Sequence, residues 1–119
     1  MDDNNAILRL LRNGPFSKGY PYEEAVRARL DLGRERYGHG IRVEDDTTQW
    51  GTKTDSWLEM GLEEVDDLAI YIAAQFARYI DWWEHGLRAG VPSAEYGAIM
   101  NTLTQLREQI VDLMEKTGK

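Results

Sequence analysis

The chain has 119 residues, carries a formal charge of −7, and contains no Cys and only two His. That length suits one small domain, and the absence of Cys excludes a disulfide framework and thiolate metal sites. The acidic balance excludes a bare binder of the phosphate backbone, which needs a basic face, while an ordinary apolar content of 42% excludes a disordered acidic tail.

In chain order, the first helical pattern covers about Asp3 to Asn13, with Ile7, Leu8, Leu10 and Leu11 apolar. Asn13-Gly14 ends it. The second runs about Pro21 to Tyr37, with Pro21 in the first turn and Gly38 as the stop. Ala25, Ala28, Leu30 and Leu32 are expected to face inward. Residues 39–53 are polar and turn-rich. Ile41 and Val43 alternate with Arg42 and Glu44, which allows a brief extended piece, and a loop of this length without structure of its own is usually functional or mobile.

The third pattern starts near Thr54 to Ser56 and runs to His85 or beyond. Leu58, Leu62, Val65, Ala69, Ile72 and Phe76 recur at helical spacing. Its length is unusual for a small isolated domain and suggests a bundle built across subunits. Trp82, Trp83 and His85 read as packing at its far end. The fourth pattern begins at Ser93, an N-cap candidate after Gly90-Val91-Pro92. Tyr96, Ile99, Leu103, Leu106, Ile110 and Leu113 have a period near 3.5, either a core stripe or a dimer seam. The expected fold class is all-α: a single four-helix bundle-like domain, completed by oligomerisation. No stretch of eighteen apolar residues and no signal-peptide pattern is visible, so the expectation is a soluble cytoplasmic protein with no membrane or nucleic-acid partner.

The third pattern carries the chemistry. Between Lys53 and Arg78 there is no basic residue, yet six acids occur: Asp55, Glu59, Glu63, Glu64, Asp66 and Asp67. Like charges at i,i+4 repel on a helix, and Asp55, Glu59, Glu63 and Asp67 form an unbroken series of them. Divalent metal is the simplest external compensation, since clustered carboxylates supply the hard oxygen ligands that Mg²⁺ and Mn²⁺ prefer. A metal-held water can then act as nucleophile. Against this, Ser56-x-x-Glu59 fits a capping box, which gives Glu59 a structural role. Asp66 is expected to be merely solvated. Gly61, costly inside a helix, hints at close approach by another helix or a ligand.

The segment Glu63-Glu64-Val65-Asp66-Asp67-Leu68-Ala69-Ile70-Tyr71-Ile72 resembles the second metal-binding helix of the all-α nucleoside triphosphate pyrophosphatases, the MazG-like superfamily. Glu64-x-x-Asp67 matches that helix's Glu-x-x-Asp. Arg36-Tyr37-Gly38, the polar loop and a Trp before the acidic helix also look like small phage-encoded members. The chain departs from the family's preceding Glu-Glu-x-x-Glu helix: Glu23-Glu24 supplies only two acids and lies too far upstream. Glu63-Glu64-x-x-Asp67 read as the first motif lacks a downstream partner, because Asp81-x-x-Glu84 falls on the same helix. Glu35 is a further acid able to contribute across a bundle, and the composition of the first metal shell stays open.

The resemblance implies hydrolysis of a (deoxy)nucleoside triphosphate to the monophosphate and pyrophosphate, with dGTP or dATP as candidate substrates in a viral nucleotide pool within the host cytoplasm. It implies two or three Mg²⁺ or Mn²⁺ ions on Glu59, Glu63, Glu64, Asp67 and Glu35, with Glu59, Glu63, Glu64 and Asp67 as the catalytic acids. Arg34, Arg36, Lys53 and His39 are candidate phosphate contacts, and Trp50 and Trp57 candidate base-stacking surfaces. A homodimer or homotetramer is implied. A different class remains: a non-enzymatic acidic helical module that mimics nucleic acid or binds a partner. A calcium-binding loop of the Asp-x-Asp-x-Asp-Gly kind is absent.

Overall fold

A computed structural model describes residues 2–14, 19–84 and 93–118, without the side chains of residues 79–84. Pro15, His85 and Gly90-Val91-Pro92, together with the side chains of Asp81, Trp82, Trp83 and Glu84, lie outside the described residues. The chain is all-helical: α1 (Asn4–Asn13), α2 (Glu23–Tyr37), α3 (Trp57–Glu84) and α4 (Ser93–Thr117), with a 3₁₀ turn at Thr47–Trp50 and no strand among the described residues. No described helix is long and apolar enough to cross a membrane. Two compact units divide it, Met1–Asp45 and Asp46–Lys119.

In the first unit α1 and α2 form an antiparallel pair, tied at one end by Arg12–Glu23 and at the other by Arg34–Asp2. Leu8 is the buried apolar residue between them. The half-buried stripe of α2 is Glu23, Val26, Leu30 and Gly33, with Leu32 also half-buried. Ala25 and Ala28, expected inward, are exposed: α2 turns the stripe with the larger Val26 and Leu30 inward, and burying those side chains removes more apolar area from water. Gly38 ends α2 at φ 77°, its N–H donating to the Arg34 carbonyl, a left-handed stop that suits glycine.

The segment after Gly38 is not the extended piece its alternation allows. It is pinned to the start of α1. The Asp3 N–H donates to the Ile41 carbonyl, the Ile41 N–H to the Asn4 Oδ1 and the Val43 N–H to an Asp3 carboxylate oxygen. Gly40 sits so close to the Asn4 amide that a Cβ there would fall 2.5 Å from it.

In the second unit α3 and α4 pack antiparallel, since Asp66 meets Arg107 while Phe76 meets Tyr96 edge-on at 5.1 Å between ring centres. At 28 residues, α3 spans about 42 Å at a rise of about 1.5 Å per residue. Val65 of α3 and Leu103 of α4 are the buried apolar residues of the pair, with Leu58, Leu62, Ala69, Ile72 and Phe76 half-buried on the same face of α3. The 3.5-residue seam of α4 divides in two. Tyr96, Leu103 and Ile110, seven apart, turn toward the core, and Leu103 is only 7% exposed. Ile99, Leu106 and Leu113, also seven apart, stay outside, with Leu106 41% exposed. Ser93 lies within the described part of α4, and the residues before it lie outside the described ones.

Candidate functional site

The second part of the loop, from Asp46 on, is built into the start of α3. Thr47 is fully buried. Its hydroxyl oxygen accepts from the Ser56 N–H at 2.7 Å and lies 2.8 Å from the Thr52 hydroxyl and 3.2 Å from the Thr54 carbonyl. Asp46 caps the 3₁₀ turn, and the Thr48 hydroxyl, then the Thr48 N–H, hold its carboxyl below the usual range. Gly51, at φ 107°, closes the turn.

Ser56 is the cap of α3, its hydroxyl accepting from the Glu59 N–H at 3.2 Å. That is the forward half of a capping box. The return half differs: the Glu59 carboxylate passes over Ser56 and accepts from the Thr54 hydroxyl at 2.7 Å and from the N–H groups of Thr54 and Lys53. The Thr54 hydroxyl and then the Lys53 N–H lower the pKa of Glu59. Asp55 accepts from the Thr47 N–H at 3.0 Å. Two of the six acids therefore hold the entry to α3.

A third is also engaged. Asp66, expected to be only solvated, receives a two-pronged contact from Arg107 of α4, Nε to Oδ1 at 2.8 Å and Nη2 to Oδ2 at 3.2 Å. The Arg107 hydrogen bonds lower the Asp66 pKa. The compensation that α3 lacks within itself comes in part from its neighbour, a pairing 41 residues apart that no local spacing rule exposes.

Glu63, Glu64 and Asp67 remain. All three are exposed, and among the described residues no ion pair engages them. Glu64, Asp67, Leu68 and Tyr71 follow i, i+3, i+4, i+7, one face of a helix. Leu68 is 44% and Tyr71 67% exposed. Gly61 lies on this face too, and a Cβ there would meet nothing within 4 Å, so nothing in the described chain makes the close approach its presence hinted at. Among the described residues no three His, Cys, Asp or Glu side chains gather as a metal-holding group.

The remaining candidates divide between the units. In the second, Lys53 is exposed at the foot of α3, and Trp50 and Trp57 are both partly exposed beside it in sequence. In the first, Arg34 is committed to a two-pronged contact with Asp2, both prongs 3.0 Å. His39 lies 2.7 Å from the Gly40 carbonyl through Nδ1 and 2.9 Å from Arg42 Nη2 through Nε2. Glu35 and Arg36 are exposed near the end of α2. No family model, curated protein or solved structure matches the chain.

Proposed function

We propose that the chain is a metal-dependent nucleoside triphosphate pyrophosphohydrolase, releasing pyrophosphate and a nucleoside monophosphate, with its site on the exposed face of α3 and completed by a second copy. The observation that carries this reading is the mixed character of that face. Leu68 and Tyr71 stand exposed beside these carboxylates, within a turn of Asp67 on the same face; a merely solvated acidic face has no need of such an apolar edge, and a surface imitating nucleic acid would spread its acids without it. Carboxylates edged by apolar side chains are what a cation site with a dry wall requires.

The donor set fits the ion. Mg²⁺ is commonly held by one or two carboxylates, its own waters and phosphate oxygens of the substrate, without a dedicated cage. Glu64 and Asp67 meet that demand from adjacent turns, with Glu63 alongside at i,i+4 from Asp67. When bound, a divalent ion neutralises triphosphate charge and acidifies a water. The chain's own residues then divide the remaining work. Lys53 offers a cation to phosphate oxygens, and Trp50 and Trp57 offer faces for the base. Glu59 anchors the turn that sets the direction of α3. The proposal rests on second-unit residues alone.

Incubation with each dNTP and Mg²⁺ or Mn²⁺ should yield pyrophosphate and monophosphate in equal amounts. Glu64→Gln and Asp67→Asn should each lower kcat/KM by more than the roughly 10–100-fold that losing an outer partner of a metal ligand costs, with helix content unchanged by circular dichroism. Asp66→Asn should leave turnover intact. Absence of turnover with every nucleotide would transfer the chain to the class of acidic interaction modules.

A further inference from the structure

The first unit contains a concave feature lined by basic side chains. A cavity of about 470 Å³ lies between α1 and α2, lined by Asn5, Leu8, Arg9, Arg12, Asn13 and Arg27. Asn5, Arg9 and Asn13 recur at i,i+4, as do Leu8 and Arg12, so one face of α1 supplies most of the wall. Buried Leu8 lies among them. One carboxylate serves two of these three guanidiniums. The Glu23 carboxylate accepts from Arg12 Nε at 2.7 Å and Nη2 at 2.6 Å, and lies 3.6 Å from Arg27 Nη2.

Each guanidinium carries five N–H donors in a planar fork, so one carboxylate leaves most of them unused. At this end of the helix pair the tie to Glu23 from α1 is made by Arg12, not by Arg9. Arg9, three residues before it, has no ion pair among the described residues and repels it. The charge of the whole chain sharpens the contrast. Of 14 basic and 21 acidic residues, eight of each precede Asp46, so the entire −7 belongs to the second unit. A cationic concavity in an acidic protein focuses potential on small anions, and the arginine fork matches phosphate oxygens in pairs.

We infer that the α1–α2 groove binds a small phosphate-bearing anion through Arg9, Arg12 and Arg27, without metal. The volume lies in the range of small-molecule sites and suits an oligophosphate or a nucleotide. Asn5 and Asn13 add neutral donors and acceptors beside the three cations. Glu23 competes with the ligand for Arg12 and Arg27. This site does not depend on the acidic helix and stands or falls separately from the pyrophosphohydrolase reading.

The test is calorimetric titration of the full chain in EDTA with tripolyphosphate, inorganic phosphate, a dNTP and a single-stranded oligonucleotide. Saturable one-site binding of tripolyphosphate or the dNTP is expected, weakening with salt. Arg9→Gln combined with Arg27→Gln should reduce affinity at least about tenfold, because hydrogen bonds to charged groups are lost. Glu64→Gln should leave it unchanged, and Glu23→Gln should tighten it severalfold. Tighter binding of the dNTP than of tripolyphosphate would identify a nucleotide ligand; equal binding would identify the phosphate chain itself. Circular dichroism checks the fold, and Arg9→Gln alone, which breaks no helix tie, reads the affinity if the double variant loses helix. No saturable binding, binding that survives the arginine changes, or affinity only for the oligonucleotide would overturn the inference.

Discussion

At the scale of single residues, Thr47 has the most consequential role in the second unit. One hydroxyl serves the cap residue of α3 and two threonine partners, in a position with no exposed surface. Thr47→Val keeps the shape and removes the oxygen that accepts from the buried Ser56 N–H, while the Thr52 hydroxyl keeps the Thr54 carbonyl at 2.6 Å. A loss of about 1–3 kcal/mol is expected, the cost of stranding a buried polar group, measured by urea denaturation. Glu59 and Asp66 bear on acid stability. Hydrogen bonds from Thr54 and Lys53, and from Arg107, lower their folded pKa values. The unfolded chain therefore takes up protons first as acid is added. Their contribution is complete at neutral pH and falls away as pH drops below about 4.5, through the carboxylate range. The melting temperature should be flat from pH 7 to pH 5 and decline below it, with a shallower decline in Glu59→Gln.

At the scale of elements, α3 and α4 each use one apolar stripe on the other and keep a second outside. On α4 the outer stripe is Ile99, Leu106 and Leu113; on α3 it is Leu68 and Tyr71, sharing a face with Gly61, Glu64 and Asp67. Glycine inside a helix costs roughly 1 kcal/mol relative to alanine, and among the described residues nothing lies within 4 Å of a Cβ added at Gly61 or Gly97. Gly97→Ala should therefore raise stability by about 1 kcal/mol. Gly61→Ala should gain less or lose stability, because the proposed second copy approaches that face. Equal gains in thermal melts of the two variants would mean the α3 face stays open.

At the scale of the whole molecule, the described apolar core is small: Leu8 in the first unit, Val65 and Leu103 in the second. Hydrophobic burial is the main favourable term in folding, and a domain of this size has little to spare. Outside it lie Leu68, Ile70, Tyr71, Ile99, Leu106 and Leu113. Self-association over these residues would supply the missing burial and make stability depend on protomer concentration. The melting temperature is expected to rise with protein concentration, and analytical ultracentrifugation to find a dimer or tetramer that Leu106→Glu dissociates. A melting temperature independent of concentration in a monomeric protein would remove the second copy from the proposed site.

The sequence by itself determined what depends on neighbours along the chain. The four helical segments, their glycine stops at Gly14 and Gly38, the Ser56 cap and the acidic run of α3 follow from interactions three or four residues apart, where period and spacing are read directly. Tertiary structure alone decided which acids remain available. Asp55 is taken by Thr47, Glu59 by the Lys53–Thr54 turn and Asp66 by Arg107, while Glu63, Glu64 and Asp67 are left outward. It also divided the α4 seam between an inner and an outer stripe and brought Arg27 to the face of α1 that carries Arg9 and Arg12. Those outcomes depend on helix rotation and on hydrogen bonds between residues far apart in sequence. A periodic pattern names the side chains on a face, and packing decides what meets it.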